Sequence, residues 1–445
     1  MEKNALLEIL EDWNLWKKEI DTGKTRIKYV ERCLELLKTN VVVDIIGVRR
    51  SGKSYIMKQA MKQLINNKID KTDLLFVNFE DRRFTEFTPL ILDEIYNTYL
   101  TTIKPCNKPF IFLDEIQNVP KWEKWVRSMH ELGKAKIVIS GSSSKLLSGE
   151  LATVLTGRHL DLFVFPLRFK EFLNFKGLEI KDELDLVARK QNILSYFTEY
   201  LEFGGFPEVV LSNNKKFLLL TYFDDILTKD IERRYRLKKS DKLRSLAKFY
   251  LTNTSHLITF NSLKKFLNTT TTTIEKFSSY LEEVNLLFFV KRFSFKVKEQ
   301  EKSPRKVYSS DIGLANALGF KLSLNIDSSI ENIVAIELYQ SMKRNQNMEF
   351  YYWHDKDDRE IDFVVKISSK VQQLIQVCWN PEEYKTKERE VRALLLASSK
   401  LNCKNLLVLT ENYDTDEEHK WFDIKGKIKF MPLWKWLLHR VDHRA

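Results

Sequence analysis

One octapeptide in this sequence has the residue types and spacing of a phosphate-binding loop. Residues 47–54 read Gly-Val-Arg-Arg-Ser-Gly-Lys-Ser and match the pattern GxxxxGK[ST], directly after a β-branched apolar run. In such loops the lysine reaches the β- and γ-phosphates and the final hydroxyl binds Mg²⁺. We therefore expect ATP and Mg²⁺ as cofactors, with Lys53 on phosphate and Ser54 on metal. The other expected nucleotide contacts are Gly47, Arg50, Ser51, Gly52 and Tyr55.

An apolar run that ends in two acidic residues supplies the second half of the expected site. Residues 110–113 read Phe-Ile-Phe-Leu and are followed by Asp114 and Glu115. A carboxylate at the end of a buried strand can hold the metal, so Asp114 is a predicted Mg²⁺ ligand. Glu115, one residue on, is placed to polarise the attacking water as general base. A solvated acidic pair at a strand end is the alternative, but the two motifs together favour hydrolysis.

Two further polar residues are candidates for contact with the terminal phosphate. Ser142 follows the apolar run 137–140 and could sense the γ-phosphate, although Gly and Ser are also ordinary turn residues. Arg158 is a candidate arginine finger that would act on the nucleotide of a neighbouring subunit. A surface arginine is the simpler interpretation of Arg158, and both alternatives stay open.

The elements that must position these residues follow from the apolar pattern. Strands are predicted at 41–46, 74–79, 110–113, 137–140 and 160–165, and helices at 54–66, 89–101 and 121–132. Apolar strands that alternate with helices indicate a mostly parallel α/β sheet covered on both faces. Before it, helical spacing runs from Leu6 to Ile20 and again from Tyr29 to Leu37. A second α/β pattern is predicted from about residue 325 onward.

Composition narrows the class of protein. The 445 residues are 43% apolar and 30% charged, which excludes a disordered chain. The net charge of +12 makes a polyanionic partner plausible. The four cysteines are far apart, so we expect free thiols and a cytoplasmic protein. No apolar stretch is long enough for a membrane span, and no membrane partner is expected.

Several motifs together resemble one family, the archaeal and bacterial AAA-type ATPases with a C-terminal domain of unknown function. They are Gly47–Ser54, Asn78–Asp81, Leu113–Glu115, Ser140–Ser142, Gly157–Arg158, Phe165–Leu167, Phe169–Phe172 and Phe203–Glu208. The resemblance covers nearly the whole chain and implies a P-loop AAA+ parallel sheet with a helical lid, then a winged helix, then a restriction-endonuclease-like α/β domain of the PD-(D/E)xK type. The domains expected are N-terminal helices 1–40, ATPase core 41–166, lid 167–235, winged helix 236–322 and inactive nuclease-like domain 323–445.

The region before the last domain is basic and suits DNA. Three helical stripes precede a predicted hairpin, and residues 291–306 hold seven Lys or Arg against two Glu. Because few cations lie on the predicted recognition helix, we expect phosphate contacts with little sequence specificity, on branched or single-stranded DNA. The predicted contacts are Thr270, Thr271, Lys276, Lys291, Arg292, Lys296 and Lys298.

Two alternatives to this DNA hypothesis stay open. A winged helix can serve oligomer contacts alone, since a fold does not imply a function. The leading hypothesis is an ATPase that forms a homo-oligomer, with a hexameric ring as one form, and remodels DNA. The second alternative to this leading hypothesis is a nucleotide-gated switch or scaffold that acts on a protein partner without DNA.

The C-terminal region has the frame of a nuclease but lacks most of its catalytic groups. Asp362 fits the first metal position, whereas Gln376 stands in place of a carboxylate and Cys378 in place of the lysine. A neutral amide is a poor metal ligand and a thiol supplies no permanent cation. We therefore predict an inactive nuclease-like domain. The alternative is a rescued site with Glu331 or Glu337 and Glu360 as ligands.

Overall fold

The chain forms two units, which are described one at a time. The computed structural model describes residues 2–141, 157–237, 240–319, 326–381 and 384–439. The first unit consists of residues 1–164 with the short segment 283–285, and the second of residues 165–282 and 286–445. Within the described residues, no helix is both long and apolar enough to cross a lipid bilayer.

The first unit is a five-stranded parallel sheet with helices packed on it. The helices are α1 Lys3–Trp13, α2 Ile27–Lys38, α3 Lys53–Asn66, α4 Ile91–Thr102 and α5 Trp122–Glu131. The strands are β1 Val42–Ile46, β2 Leu74–Asn78, β3 Phe110–Asp114, β4 Lys136–Gly141 and β5 His159–Phe163. Their spatial order is β2-β3-β4-β1-β5, and every neighbouring pair is parallel. The parallel α/β sheet predicted from the sequence is confirmed.

Side-chain alternation along the strands builds two hydrophobic layers. On β1, Val42 and Ile46 belong to the layer formed with α1, α4 and α5. Val43 and Ile45 belong to the opposite layer, formed with α2 and α3. Because β4 lies between β1 and β3, the carboxyl ends of these three strands meet at one edge of the sheet. That edge carries the phosphate loop, Asp114 and the end of β4.

The first helix ends earlier than its apolar spacing predicts. The prediction extended it to Ile20, whereas α1 ends at Trp13. The Asn14 side chain donates to the Phe76 carbonyl oxygen at 2.9 Å and accepts from the Phe76 N–H at 2.7 Å. Trp16 Nε1 donates to the Leu74 carbonyl oxygen at 2.8 Å. Both partners lie on the edge strand β2, so the chain leaves the helix to satisfy the edge of the sheet.

The second unit is larger and contains two sheets. Its helices are α6 Phe169–Phe175, α7 Glu183–Ala188, α8 Lys190–Phe203, α9 Pro207–Leu211, α10 Lys215–Asp225, α11 Asp241–Thr252, α12 Phe260–Leu267, α13 Thr271–Glu283, α14 Val297–Lys302, α15 Ile312–Leu318, α16 Ile326–Arg344, α17 Tyr384–Leu401 and α18 Leu433–His439. Its strands are β6 Leu257–Ile258, β7 Leu287–Val290, β8 Arg305–Ser309, β9 Met348–His354, β10 Glu360–Ile367, β11 Lys370–Val377, β12 Leu406–Thr410, β13 Thr415–Trp421 and β14 Ile424–Pro432.

The smaller sheet is antiparallel, with the order β6-β8-β7, and the larger is mixed, with the order β13-β14-β12-β11-β10-β9. The hairpin β13–β14 is absent from the sequence prediction. Along β13, exposed residues alternate with half-buried ones and none is buried, so this strand shows little of the apolar alternation that marks a strand in sequence.

One hydrophobic cluster runs through the second unit. It includes Phe169 and Phe197 on the early helices, Tyr308 on β8, Phe363 on β10 and Trp434 on α18. The segments expected as lid, winged helix and nuclease-like domain therefore share buried apolar contacts. The boundaries at 235 and 322 stay predictions.

Candidate nucleotide site

The backbone of the loop between β1 and α3 explains why its glycines are required. A Cβ on Gly47 would lie 2.0 Å from the Val164 carbonyl oxygen, so no larger residue fits there. Gly52 has φ of 99°, in the left-handed region that only glycine adopts without strain. Arg50 also has a positive φ, of 69°. The loop is therefore a tight, preformed turn at the start of α3.

Lys53 is buried and folded back over this loop. Its side chain is 4% exposed, and Nζ donates to the carbonyl oxygens of Gly47 at 3.0 Å and Val48 at 3.3 Å. Nζ also lies 4.0 Å from Glu115 Oε1. The ammonium is thus held between the loop and the acidic end of β3.

The two predicted metal ligands are next to each other. The Ser54 side chain lies close to the Asp114 carboxylate and acts to lower its pKa. Ser140 Oγ on β4 donates to Asp114 Oδ1 and accepts from the Glu115 N–H, the latter at 3.1 Å. Burial raises the pKa of Asp114, while the hydroxyls of Ser140 and Ser54 act to lower it. This arrangement joins the ends of β3 and β4 to the start of α3.

Glu115 has the backbone and surroundings of a positioned residue. Its φ is 54°, uncommon for a non-glycine residue, and its carboxylate lies 4.0 Å from Lys53 Nζ. Gln117 Nε2 donates to Glu115 Oε2 at 2.5 Å. Burial raises the pKa of Glu115, and the Lys53 ammonium opposes that rise. A raised pKa suits a carboxylate that must accept a proton.

Sequence reasoning missed the hydroxyl that links these groups. The sequence predicts Ser140 at the end of the strand 137–140 but gives it no role of its own, and in the structure it is fully buried on β4. Its signal in the sequence is its place at the end of an apolar strand. Sequence reasoning also missed the ion pair between Arg49 and Glu80, which lies beside the loop with an N···O distance of 2.8 Å. The Glu80 charge acts to raise the pKa values of both Asp114 and Glu115.

The segment between α1 and α2 is hydrogen-bonded to the side chain of Gln59 on α3. Gln59 Nε2 donates to the carbonyl oxygens of Thr22 at 2.7 Å and Lys24 at 3.0 Å. The Arg26 N–H donates to Gln59 Oε1 at 3.1 Å, and the Arg26 guanidinium donates to the Ser51 carbonyl oxygen at 3.1 Å. Residues 22–26 therefore lie against the phosphate loop.

Tyr55 lies beside this segment. A Cβ on Gly23 would lie 3.0 Å from the Tyr55 ring, and Gly23 has φ of 59°. The Tyr55 side chain is 46% exposed, so one part of the ring is available to a ligand. Tyr55, predicted as a nucleotide contact, therefore lies beside the segment 22–26 that contacts the phosphate loop.

The two remaining predicted contacts differ in outcome. Arg158 precedes β5, and its carbonyl oxygen accepts from the Val42 N–H at 2.8 Å, at the start of β1. The phosphate loop follows the opposite end of β1, about 16 Å away at roughly 3.3 Å per residue. The Arg158 guanidinium pairs with Glu131 at 3.1 Å. Ser142 lies outside the described residues.

Known proteins match this chain along most of its length. A model described as an AAA domain matches residues 39–173, and two domains of unknown function, DUF8612 and DUF4143, match 194–329 and 327–435. A Methanocaldococcus jannaschii protein, "Uncharacterized protein MJ1544", is 33% identical over 425 residues, 93% of this chain and 92% of that protein. The chain belongs to this family of AAA-type ATPases. It is an ATPase.

A second relative, from Haemophilus influenzae and titled "Uncharacterized protein", is 30% identical over 406 residues, 88% of this chain and 95% of its own length. Among solved structures, "the Walker-type ATPase PABY2304 of Pyrococcus abyssi" is 15% identical, with a TM-score of 0.41, and covers 68% of this chain and 99% of its own.

The cations predicted to contact DNA are partly neutralised within this ATPase. Lys291 pairs with Glu301 at 2.5 Å, and Lys296 pairs with Glu299 at 3.3 Å. Arg292 donates to the His354 carbonyl oxygen and is half-buried. The charge count of residues 291–306 therefore overstates what the surface presents. Lys298 is exposed, with no ion-pair partner among the described residues.

The predicted contacts on α13 lie at its start and on its exposed side. Thr270 Oγ1 accepts from the Thr273 N–H at 3.2 Å, as an N-terminal capping residue does. Thr271 is half-buried in the first turn of the helix. Lys276 is exposed, with Nζ 5.8 Å from the centre of the Tyr280 ring.

The predicted nuclease positions are brought together, but around different chemistry. The Asp362 N–H on β10 donates to Gln376 Oε1 on β11 at 3.2 Å. Cys378 is buried, which raises the pKa of its thiol to about 12. Glu337 pairs with Arg168 at 3.5 Å. Among the described residues, no group of three His, Cys, Asp or Glu is placed to hold a metal ion.

Proposed function

We propose that this ATPase is Mg²⁺-dependent, acts as a homo-oligomer and couples hydrolysis to binding or remodelling of DNA. The observation that carries the first part is the Asp114 carboxylate, which is held by Ser140 and lies close to Ser54, beside the buried pair Lys53 and Glu115. A hydroxyl and a carboxylate are oxygen ligands of the kind Mg²⁺ prefers, so these residues fit the ion. When bound, Mg²⁺ would neutralise charge on the β- and γ-phosphates.

Each residue then has one role in hydrolysis. Lys53 exchanges its bonds to the Gly47 and Val48 carbonyl oxygens for bonds to phosphate oxygens. Glu115, whose carboxylate is held in place by the Gln117 amide, accepts the proton of the attacking water. Ser140 is a positioning residue, because its hydroxyl fixes the Asp114 carboxylate and the backbone at Glu115.

The nucleoside end of ATP is proposed to lie at Tyr55. The ring is exposed along one part and flanked by Gly23, whose segment is held by Gln59. A partly exposed aromatic ring can stack on a base. The nearby Arg26 fixes this segment to the loop, so base and phosphate contacts form together.

Oligomerisation is supported by the place of Arg158. The arginine lies at the end of the sheet opposite to its own phosphate loop and is 41% exposed, so it is available to another subunit. A guanidinium supplied by a neighbour would stabilise the charge that develops on the γ-phosphate. Glu131 would release it when the subunits associate.

DNA binding is supported by the arrangement of α12, α13 and the sheet β6-β8-β7, which is the helix and strand order of a winged helix. The connection between β7 and β8 carries Phe295, 81% exposed, and Val297, 70% exposed, next to Lys298. Exposed aromatic rings beside cations suit unstacked bases and their phosphates. We therefore favour single-stranded or branched DNA over a defined duplex sequence.

The second candidate is a nucleotide-gated switch or scaffold for a protein partner. Glu299 and Glu301 favour it, since they neutralise Lys296 and Lys291 on the same connection. Apolar side chains such as Phe295 would then contact protein. DNA would leave the ATPase rate unchanged in this case.

The deciding experiment measures ATPase rate against salt concentration with no DNA and with single-stranded, duplex and four-way-junction DNA. Stimulation by one form at low salt, reduced in Lys298→Ala, is the expected result. The matched control is Lys370→Ala, which removes an exposed lysine from β11. Equal rates under every condition would overturn the DNA proposal and favour the switch.

A further inference from the structure

An ammonium group is buried among three carboxylates in the second unit. The side chain of Lys306 on β8 is 3% exposed. Its Nζ lies 2.8 Å from Glu331 Oε1, 2.5 Å from Glu360 Oε1 and 3.2 Å from Asp362 Oδ1. Glu331 is on α16, and the other two carboxylates are at the start of β10. Three separate elements therefore meet at one cation.

The surroundings keep this amine charged. Burial acts to lower the pKa of Lys306, but the carboxylates of Glu331, Asp362 and Glu360 outweigh it and hold the pKa well above its usual value. The Tyr308 hydroxyl donates to Glu331 Oε1 at 2.6 Å, and the Val377 N–H donates to Asp362 Oδ2 at 2.9 Å. The carboxylates are thus held by the protein and directed at the ammonium.

The same three side chains are of the chemical kind that a divalent cation binds, but with the ammonium between them they are not placed to hold one. Carboxylate oxygens from a helix and a strand are ligands of the kind that Mg²⁺ and Mn²⁺ prefer. An active nuclease of the type that the sequence resembles would need such an ion beside Asp362. An ammonium neutralises the carboxylates, but it has no open coordination position at which to activate a water. The neighbouring Gln376 amide already has a hydrogen-bond partner, because its Nε2 donates to Glu390 at 2.5 Å.

We infer that Lys306 is the built-in cation of this cluster. Its ammonium takes the position that a divalent metal ion would need, joins β8 to β10 and α16, and leaves the C-terminal domain unable to cleave phosphodiester bonds. In the sequence Lys306 is one of seven cations of a basic stretch. Only the fold shows that it faces inward.

The first test uses the wild-type chain without nucleotide. Bound Mn²⁺ is measured by electron paramagnetic resonance in wild type and Asp362→Asn, and cleavage of single-stranded and duplex DNA is followed with Mn²⁺ present. We expect the same Mn²⁺ binding in both proteins and no cleavage by either. Mn²⁺ binding or cleavage that wild type shows and Asp362→Asn loses would overturn the inference.

The second test removes the ammonium. Lys306→Met leaves the carboxylates without their cation, and we expect one additional Mn²⁺ per chain, which the further change Asp362→Asn abolishes. Lys366→Met is the matched control, because Lys366 pairs with a single, half-exposed carboxylate, Glu349, at 2.5 Å. We expect a larger fall in Tm for Lys306→Met than for Lys366→Met, with faster amide exchange in β8.

Each outcome of the second test decides something. A folded Lys306→Met that binds no additional Mn²⁺ would overturn the assignment of the ammonium to a metal position. A fall in Tm no larger than that of Lys366→Met would overturn its role in joining β8 to the sheet. Where Lys306→Met does not fold, the wild-type measurement still decides the inference, since it needs no change at Lys306.

Discussion

Lys53 Nζ lies 4.0 Å from Glu115 Oε1, and both side chains are nearly excluded from solvent. The ammonium moderates the pKa of Glu115, which burial raises. The proposed phosphate ligand and the proposed base therefore share one electrostatic environment. A change to either residue alters the other, although their proposed roles differ.

The two single variants of this pair should separate binding from hydrolysis. Lys53→Ala should weaken ATP binding and lower kcat by at least about 100-fold, since it removes a positioned cation. Glu115→Gln should retain ATP binding while kcat falls by about 100-fold or more, because an amide accepts no proton. Nucleotide-binding and single-turnover measurements check this. Rapid turnover by Glu115→Gln would exclude Glu115 as the base.

Ser140→Ala should raise the Mg²⁺ requirement without preventing nucleotide binding. The hydroxyl donates to a buried carboxylate, and such a bond contributes about 1.5–3 kcal/mol. Its loss should therefore raise the Mg²⁺ concentration at half-maximal rate by about 10- to 150-fold. Ser128→Ala, an exposed serine on α5, is the control. An unchanged Mg²⁺ dependence in Ser140→Ala would contradict the positioning role.

Asp311 should make the stability of the second unit depend on pH. Its carboxylate accepts from the Gly205 N–H at 2.7 Å, yet burial raises its pKa to about 7. Because the folded-state pKa is above the unfolded value of about 3.9, this contribution to stability is fully present below that value. It is lost as the pH rises toward 7, at up to about 1.4 kcal/mol per pH unit.

Asp311→Asn removes the titrating group and keeps an oxygen that can accept from Gly205. The free energy of unfolding should therefore fall less steeply between pH 4.5 and pH 7 in the variant than in wild type. Chemical denaturation at several pH values measures this slope. Parallel curves for the two proteins would show that Asp311 does not titrate in this range.

Phe295→Ala should reduce stimulation by single-stranded DNA more than stimulation by duplex. An exposed ring that stacks on an unpaired base contributes about 1–3 kcal/mol, which corresponds to roughly a 5- to 150-fold change in affinity. Phe422→Ala is the control, because Phe422 is 76% exposed on a different hairpin. Equal effects of the two changes would argue against a specific contact at Phe295.

The sequence by itself predicted the parallel sheet, the phosphate loop and the acidic pair at Asp114 and Glu115. These features depend on short spacings, since a loop of eight residues and an apolar strand carry their own signal. The positions of strands β1 to β5 follow from the same pattern. The end of α1 at Trp13 could not be predicted from this pattern, because Asn14 forms hydrogen bonds with an edge strand that lies far along the chain.

Only the tertiary structure decided which polar groups meet. Ser140 and Asp114 are 26 residues apart, and Lys306 and Asp362 are 56 apart. Whether such pairs touch depends on strand order and register, which no local spacing encodes. The charge of Lys306 is visible in the sequence, but its burial is not. For that reason a residue that reads as part of a basic surface is, in the fold, the counter-ion of a buried acidic cluster.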